Sequence, residues 1–390
     1  MSQSVGIPRV YVAKQWQFRV RSLARQTLSD ATGLRTATAG AGTNNMPRAR
    51  IHVIPTSAPD DLDGLRRLID TGELVPNKLI AILGKTEGNG CVNDFTRGFA
   101  VSELKCFLGR ASEGVTMVMS GGTEGGLSPH LVTFEALDEA GDGPAMAIGT
   151  KITRDLAASE IGTVKQVACV AEAVTAAIRA ASIKDADQVH FVQVKCPLLT
   201  SERIAMTDCT TATSDTLKSM GLSRGASALG VALALGEIDK VTAERALAND
   251  DRSVWSDRAS TSAGLELLGH EILVIGMSES WCGPLLIDHA VMSDAIDIAP
   301  VRSAMARLGI GSESTLKAVF AKAEASTNGH IRGERHTMLN DSDISSTRHA
   351  RALVGGALAG LLGRTGLFVS GGAEHQGPDG GGPVALISER

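Results

Sequence analysis

Three residue types recur along this chain in one fixed order: a lysine closing an apolar, strand-like run, then an arginine, then a serine in a small-residue loop. The sets are Lys85, Arg97 and Ser120; then Lys195, Arg224 and Ser262; then Lys322, Arg348 and Ser370. A serine hydroxyl is a weak nucleophile near neutral pH, and a lysine can serve as its base only when the amine is neutral. Burial and neighbouring cations both depress a lysine pKa, so an arginine in each set favours the neutral amine and also clamps a carbonyl or anion. The small residues that follow the serines, Gly121, Ala263 and Gly371, leave backbone N–H groups free to approach an oxyanion. A single lysine at a strand end is usually a solvated surface residue. Three sets in the same order point instead to one site built from three similar walls.

Alternating strand-like and helix-like segments position these residues from Met46 onward, which is α/β grammar. Lys78 to Leu83 reads as a buried strand that delivers Lys85 into a polar turn, after which Thr96, as N-cap, and Arg97 open a helix. Val115 to Met119 reads as a strand running into Ser120-Gly121-Gly122-Thr123-Glu124. In the middle third, a strand from Val189 to Val194 leads to Lys195, and Ser223-Arg224-Gly225-Ala226 opens a small-residue helix. In the last third, Val319 to Ala321 leads to Lys322, Thr347-Arg348-His349 opens a helix, and Leu367 to Val369 ends in Ser370-Gly371-Gly372-Ala373-Glu374. The two Ser-Gly-Gly-x-Glu loops read as an internal repeat. Arg-x-Ala-x-Ala-Leu recurs at Arg224 and Arg348, which selects Arg348 as the third arginine and keeps Arg351 as its competitor. The middle serine follows no clear strand, and Ser262 is chosen over Ser260 by aligning Ser-Ala-Gly with Ser-Gly-Gly.

Composition excludes several classes. With 390 residues and 43% hydrophobic content the chain can bury an ample core in two or three domains. A net charge of -5 and 3% aromatic residues give neither a basic footprint nor base-stacking platforms, so nucleic acid is not an expected partner. The cysteines form no C-x-x-C pair and the histidines show no tight ligand spacing, so no disulfide framework or zinc site is indicated and reduced, cytoplasmic thiols fit best. The longest apolar run, about Ala352 to Gly363, falls short of the roughly 20 residues that span a bilayer, so no membrane partner is expected. Residues 1–45 set six basic side chains against the single acid Asp30, a composition like that of a transit peptide, and read as a disordered extension or an overcalled start. Glu324, two residues after Lys322, and the tight loop from Glu374 to Gly382 offer oxygen ligands that suit Mg²⁺ or Ca²⁺.

At these residues the chain resembles the cyanuric acid hydrolase and barbiturase family of ring-opening cyclic amidohydrolases, from about Met46 to the C-terminus. The most specific stretches are Gly84 to Gly90, Met119 to His130, Phe191 to Leu199, Ser223 to Gly230, Arg335 to Arg351 and Val369 to Pro383. The resemblance implies an α/β fold of three structurally similar domains, over 46–140, 146–281 and 285–390, in pseudo-threefold arrangement around one central site. It implies that Lys195 and Ser262 form the catalytic dyad, and that Arg97, Arg224, Arg348, Ser120 and Ser370, with Gly121, Ala263 and Gly371, hold the ring. Lys85 and Lys322 are the further lysines of the repeat. It also implies a structural Mg²⁺ or Ca²⁺ at Glu324, Ala373, Gln376, Gly377, Pro378 and Gly381 that braces the Ser370 loop, no organic cofactor, and a homotetramer. The expected reaction is hydrolysis of cyanuric acid to carboxybiuret, which decarboxylates to biuret and CO₂. The alternatives are a barbiturase forming ureidomalonate and a non-catalytic cyclic-amide binder. Family barbiturases depart from Ser-Arg-Gly-Ala-Ser-Ala and Ser-Gly-Gly-Ala-Glu, which this chain keeps.

Overall fold

The computed structural model describes residues 45–311, 315–339 and 342–390. The extension expected over 1–45 therefore lies outside the described residues, except for Asn45, which begins the first strand. Among the described residues, three four-stranded sheets follow one another along the chain. The first holds β1 (Asn45–Pro55), β2 (Leu79–Thr86), β3 (Thr116–Gly121) and β4 (His130–Ala140), with α1 (Asp63–Asp70) and α2 (Thr96–Leu108). The second holds β5 (Ala145–Ile152), β6 (Val189–Pro197), β7 (Ala259–Gly264) and β8 (Glu271–Ser278), with α3 (Val164–Ala180), α4 (Thr216–Leu235) and α5 (Lys240–Asn249). The third holds β9 (Leu285–Met292), β10 (Leu316–Ala323), β11 (Phe368–Gly371) and β12 (Gly382–Glu389), with α6 (Ala299–Arg307) and α7 (Ser346–Leu362).

All three sheets share one topology. The spatial orders are β1-β4-β2-β3, β5-β8-β6-β7 and β9-β12-β10-β11. In each, the first strand lies antiparallel to the last, the last antiparallel to the second, and the second parallel to the third. A parallel pair cannot be closed by a hairpin and needs a crossover, usually helical. The recurring lysine, arginine and serine are the signature of that unit: strand end, crossover helix, parallel strand end.

Strand periodicity aims the lysines inward. Successive side chains alternate faces, and Ala81 and Leu83 of β2 join a core shared by all three sheets while Ile82 joins a separate core under α1 and α2. Lys85 continues the inward series. On β10, Ala318 and Phe320 face the shared core and Val319 and Ala321 the helix side, so Lys322 again points inward. At the centre, Phe320 lies 4.9 Å from Phe191, 5.8 Å from Phe368 and 6.2 Å from Phe134, centroid to centroid, which draws on all three sheets. Each such ring buries about 150–250 Å² and anchors its sheet to the other two.

Three local expectations are corrected. Ser262 lies inside a strand, β7, whose small Ala, Ser and Thr residues are all buried and carry no large apolar signal. Arg224 sits mid-helix, because Asp215 caps α4 one residue before Thr216 by accepting from Lys218 N. Thr96 is not an N-cap: the Asp94 carboxylate accepts its N–H at 3.0 Å and its hydroxyl at 2.5 Å.

Candidate active site

Parallel register places each lysine directly opposite its serine. Lys85 is the Cα partner of Ser120, Lys195 of Ser262, and Lys322 of Ser370. Each ammonium nitrogen then crosses to a different sheet and bonds the carbonyl just before that sheet's serine. Lys85 Nζ donates to Val369 O at 2.8 Å, Lys195 Nζ to Met119 O at 2.7 Å, and Lys322 Nζ to Thr261 O at 2.9 Å. The three contacts close a cycle, so the serine loops share one centre. Ser120, Ser262 and Ser370 line a single cavity with Arg97, Arg224 and Arg351. Gly121, Ala263 and Gly371 line it too. Arg224, Arg351 and Gly371 also line an adjoining cavity of about 790 Å³.

The arginines form a second cycle. Arg224 pairs with Glu374 through two bonds, at 2.7 and 2.5 Å, and Arg351 pairs with Glu124 at 2.7 and 2.5 Å. Arg97 reaches Ala263 O at 3.1 Å and Cys91 O at 2.8 Å. The third arginine of the cavity is thus Arg351, 3% exposed, while Arg348 is partly exposed, bonds Ser345 Oγ at 3.3 Å and lines the larger cavity. This corrects the choice of Arg348. The two lie three residues apart on α7, close enough in helical phase that the motif match could not separate them.

Electrostatics follow from burial. All three lysines are about 1% exposed, and removal from water disfavours the ammonium. Burial, then Arg351, pushes Lys85 well below its usual range. Burial, then Arg224, lowers Lys322 to about 7. Lys195 is also lowered by burial, but Glu266 opposes the shift. The carboxylate of Glu266 lies 2.9 Å from Lys195 Nζ.

The middle set differs in its hydroxyl as well. Lys85 Nζ donates to Ser120 Oγ at 3.3 Å and Lys322 Nζ to Ser370 Oγ at 3.2 Å, whereas Ser262 Oγ is buried without a hydrogen-bond partner among the described residues. Glu124, Glu266 and Glu374 each stand four residues after their serine. The linear reading caught this glutamate in the two outer loops and missed Glu266, although the spacing is the same and was the available signal.

The proposed metal ligands cluster beside the third serine loop. Glu324 accepts Ala373 N at 2.9 Å and Ala325 N at 3.1 Å, and burial, then nearby Glu374, pushes its carboxyl up. The loop turns through positive φ at His375, Gly377 and Gly380. Gln376 accepts Thr261 N at 2.6 Å and so ties this loop to β7. A half-buried carboxylate beside a loop of backbone carbonyls offers oxygen donors only, the kind that hard cations take. Elsewhere, His190, Asp288 and His289 come together at the β6 and β9 seam, where the imidazoles bond each other at 2.9 Å and Arg307 holds Asp288. Linear spacing gave no sign of that juxtaposition.

A triplicated α/β unit with three lysine-serine pairs around one cavity defines a class, and the comparisons place the chain in it. Residues 50–389 match the family model of the ring-opening amidohydrolases, and the chain belongs to that family. A cyanuric acid amidohydrolase of Azorhizobium caulinodans is 58% identical over 357 residues, which span 88% of this chain and 99% of that protein. A cyanuric acid amidohydrolase of Bradyrhizobium is 56% identical over 365 residues, 88% of this chain and 98% of that one. The crystal structure of the A. caulinodans cyanuric acid hydrolase superposes with a TM-score of 0.85, covering 88% of this chain and 99% of its own. A second solved cyanuric acid hydrolase, described as an innovation by structural concatenation, superposes with a TM-score of 0.85 at 48% identity, covering 88% and 100%.

Proposed function

We propose that this chain hydrolyses cyanuric acid, opening its ring to carboxybiuret. The observation that carries the reading is the equal register of three lysine-serine pairs around one cavity that also holds three arginines. A planar ring with three equivalent carbonyls and three N–H groups presents the same edge to each wall, so one set of contacts serves three times. The two relatives are cyanuric acid amidohydrolases, which supports the same substrate.

Ser262 is the nucleophile in this reading and Lys195 its base. In the outer sets the lysine donates to the serine oxygen, which leaves each serine O–H to donate to a ring carbonyl. Ser262 Oγ receives no such bond, so its lone pairs are open to a carbonyl carbon. Catalytic contacts are often loose before the substrate arrives, and the register puts Lys195 beside Ser262. The Ser262 proton passes to neutral Lys195 as the Oγ–C bond forms. The C–N bond then breaks, and the departing nitrogen takes the proton from Lys195. Water hydrolyses the acyl-enzyme by the reverse proton path, and carboxybiuret loses CO₂ to give biuret. Arg97, Arg224 and Arg351, with the N–H groups after the serines, hold the carbonyls and stabilise the oxyanion. Glu324 with the loop positions Ala373, Gln376, Gly377, Pro378 and Gly381 would hold Mg²⁺ or Ca²⁺, whose positive charge would fix the Ser370 loop.

Purified protein incubated with cyanuric or barbituric acid, with loss of ultraviolet absorbance as the readout, tests the substrate. Rapid loss with barbiturate alone refutes it. Ser262→Ala should abolish turnover and leave the unfolding temperature within about 2 °C, since the deleted hydroxyl has no partner to lose. Turnover surviving in that variant assigns the attack to Ser120 or Ser370.

A further inference from the structure

The three serine loops carry the same glutamate but do not use it alike. Glu124 and Glu374 each take the arginine of another sheet through two bonds. Glu266 instead takes Lys195 at 2.9 Å. Arg97, which by analogy should hold Glu266, has its Nε buried without a hydrogen bond among the described residues and turns to two carbonyls.

Backbone geometry explains the exchange. In the outer loops the second residue after the serine adopts positive φ, +104° at Gly122 and +77° at Gly372. A Cβ there would meet the neighbouring guanidinium, 2.5 Å from Arg351 Nε and 2.6 Å from Arg224 Cζ, so the missing side chain makes room for the arginine. Gly264, the third equivalent, is absent from the positive-φ glycines and lies within β7, paired with Pro197. The space above Gly264 is filled by the carboxylate of Glu266 itself. One more residue of extended strand thus turns the glutamate back onto its own lysine.

We propose that Glu266 is the positioning residue that sets the middle lysine apart from the outer two. Paired with Lys195 Nζ and not with Arg97, it leaves the Ser262 hydroxyl unbonded at rest and sets the pH above which Lys195 is neutral and works as base. The inference rests on the reading of Lys195 and Ser262 as the dyad. A carboxylate at this distance favours the ammonium, so its removal lowers the pH at which Lys195 becomes neutral.

The test is the pH profile of kcat for ring opening in Glu266→Gln, which keeps size and hydrogen bonding but removes the charge, with Glu266→Asp and Glu124→Gln alongside. The acid limb should move down by one pH unit or more in Glu266→Gln and return toward the parent in Glu266→Asp. Glu124→Gln holds an arginine and no lysine, so it should raise KM and leave the limb in place. An unshifted limb in Glu266→Gln, whatever the rate, overturns the proposal, as does an equal shift in Glu124→Gln. The two readings fail separately. If Ser262→Ala turns over, the dyad assignment falls; if Ser262→Ala is inert and the limb stays fixed, only the role of Glu266 falls.

Discussion

Replacing Arg351 by alanine, beside Arg348→Ala as its partner experiment, separates two arginines that share a helix. The Arg351 side chain is 4% exposed and that of Glu124 21%, and burial works against the Glu124 charge while Arg351 holds its carboxyl low. Removing one member of a buried pair costs about 3–5 kcal/mol because the other charge is left stranded. Glu124 keeps some solvent, which reduces the expected cost to about 2–3 kcal/mol. At roughly 2 °C per kcal/mol for a chain this long, the unfolding temperature should fall by about 4–6 °C. A lost hydrogen bond from a charged group to a ring carbonyl is worth about 1.5–3 kcal/mol, so kcat/KM should fall by about ten- to a hundred-fold beyond any effect of unfolding. Arg348→Ala should change stability by less than about 0.5 kcal/mol and kcat/KM only slightly. Circular dichroism melts read the first effect, and the absorbance assay, run well below the melting range, reads the second. Equal losses in the two variants, or an Arg351→Ala enzyme with parental kcat/KM and melting temperature, would refute the reasoning.

Burial, then Arg224, lowers Lys322 to about 7 from its ordinary 10.5, so between those values the unfolded chain binds the extra proton and this site's contribution to stability rises with pH. Lys322→Met should therefore gain stability relative to the parent most at pH 7 and least near pH 10, measured by urea unfolding; a constant difference contradicts the depressed pKa. Treatment with a chelator should lower the unfolding temperature, with Mg²⁺ or Ca²⁺ restoring it. An excess of one hundred times the Kd contributes about 2.7 kcal/mol, and Glu324→Gln should lose the response. Gly372→Ala should destabilise the chain, since its φ of +77° disfavours a side chain and the new Cβ falls 2.6 Å from Arg224 Cζ; a melt matching the parent argues against the arginine slot.

Much of the fold was legible because it is local. The order lysine, arginine, serine marked a strand end, a helix and a second strand end in each third, while the inward face of Lys85 and Lys322 is set by which core their strands' neighbours join. β7 escaped notice because Ala259 to Gly264 is a strand of small residues, buried by what surrounds it and not by its own hydrophobicity. Arg348 and Arg351 escaped separation because helical phase brings residues three apart close together, and only the packing of α7 against the first sheet's loop decides which one is buried.

The sequence by itself determined the inventory of the site and its threefold repetition, because composition, strand period and repeat order are properties of neighbours along the chain. Tertiary structure decided which sheet each lysine and arginine serves and where the symmetry breaks. Those choices depend on how three sheets converge on a common core, and on whether the backbone after each serine turns at positive φ or stays extended, as it does at Gly264. A difference of one paired residue redirects Glu266 from an arginine to Lys195, and no spacing along the chain records it.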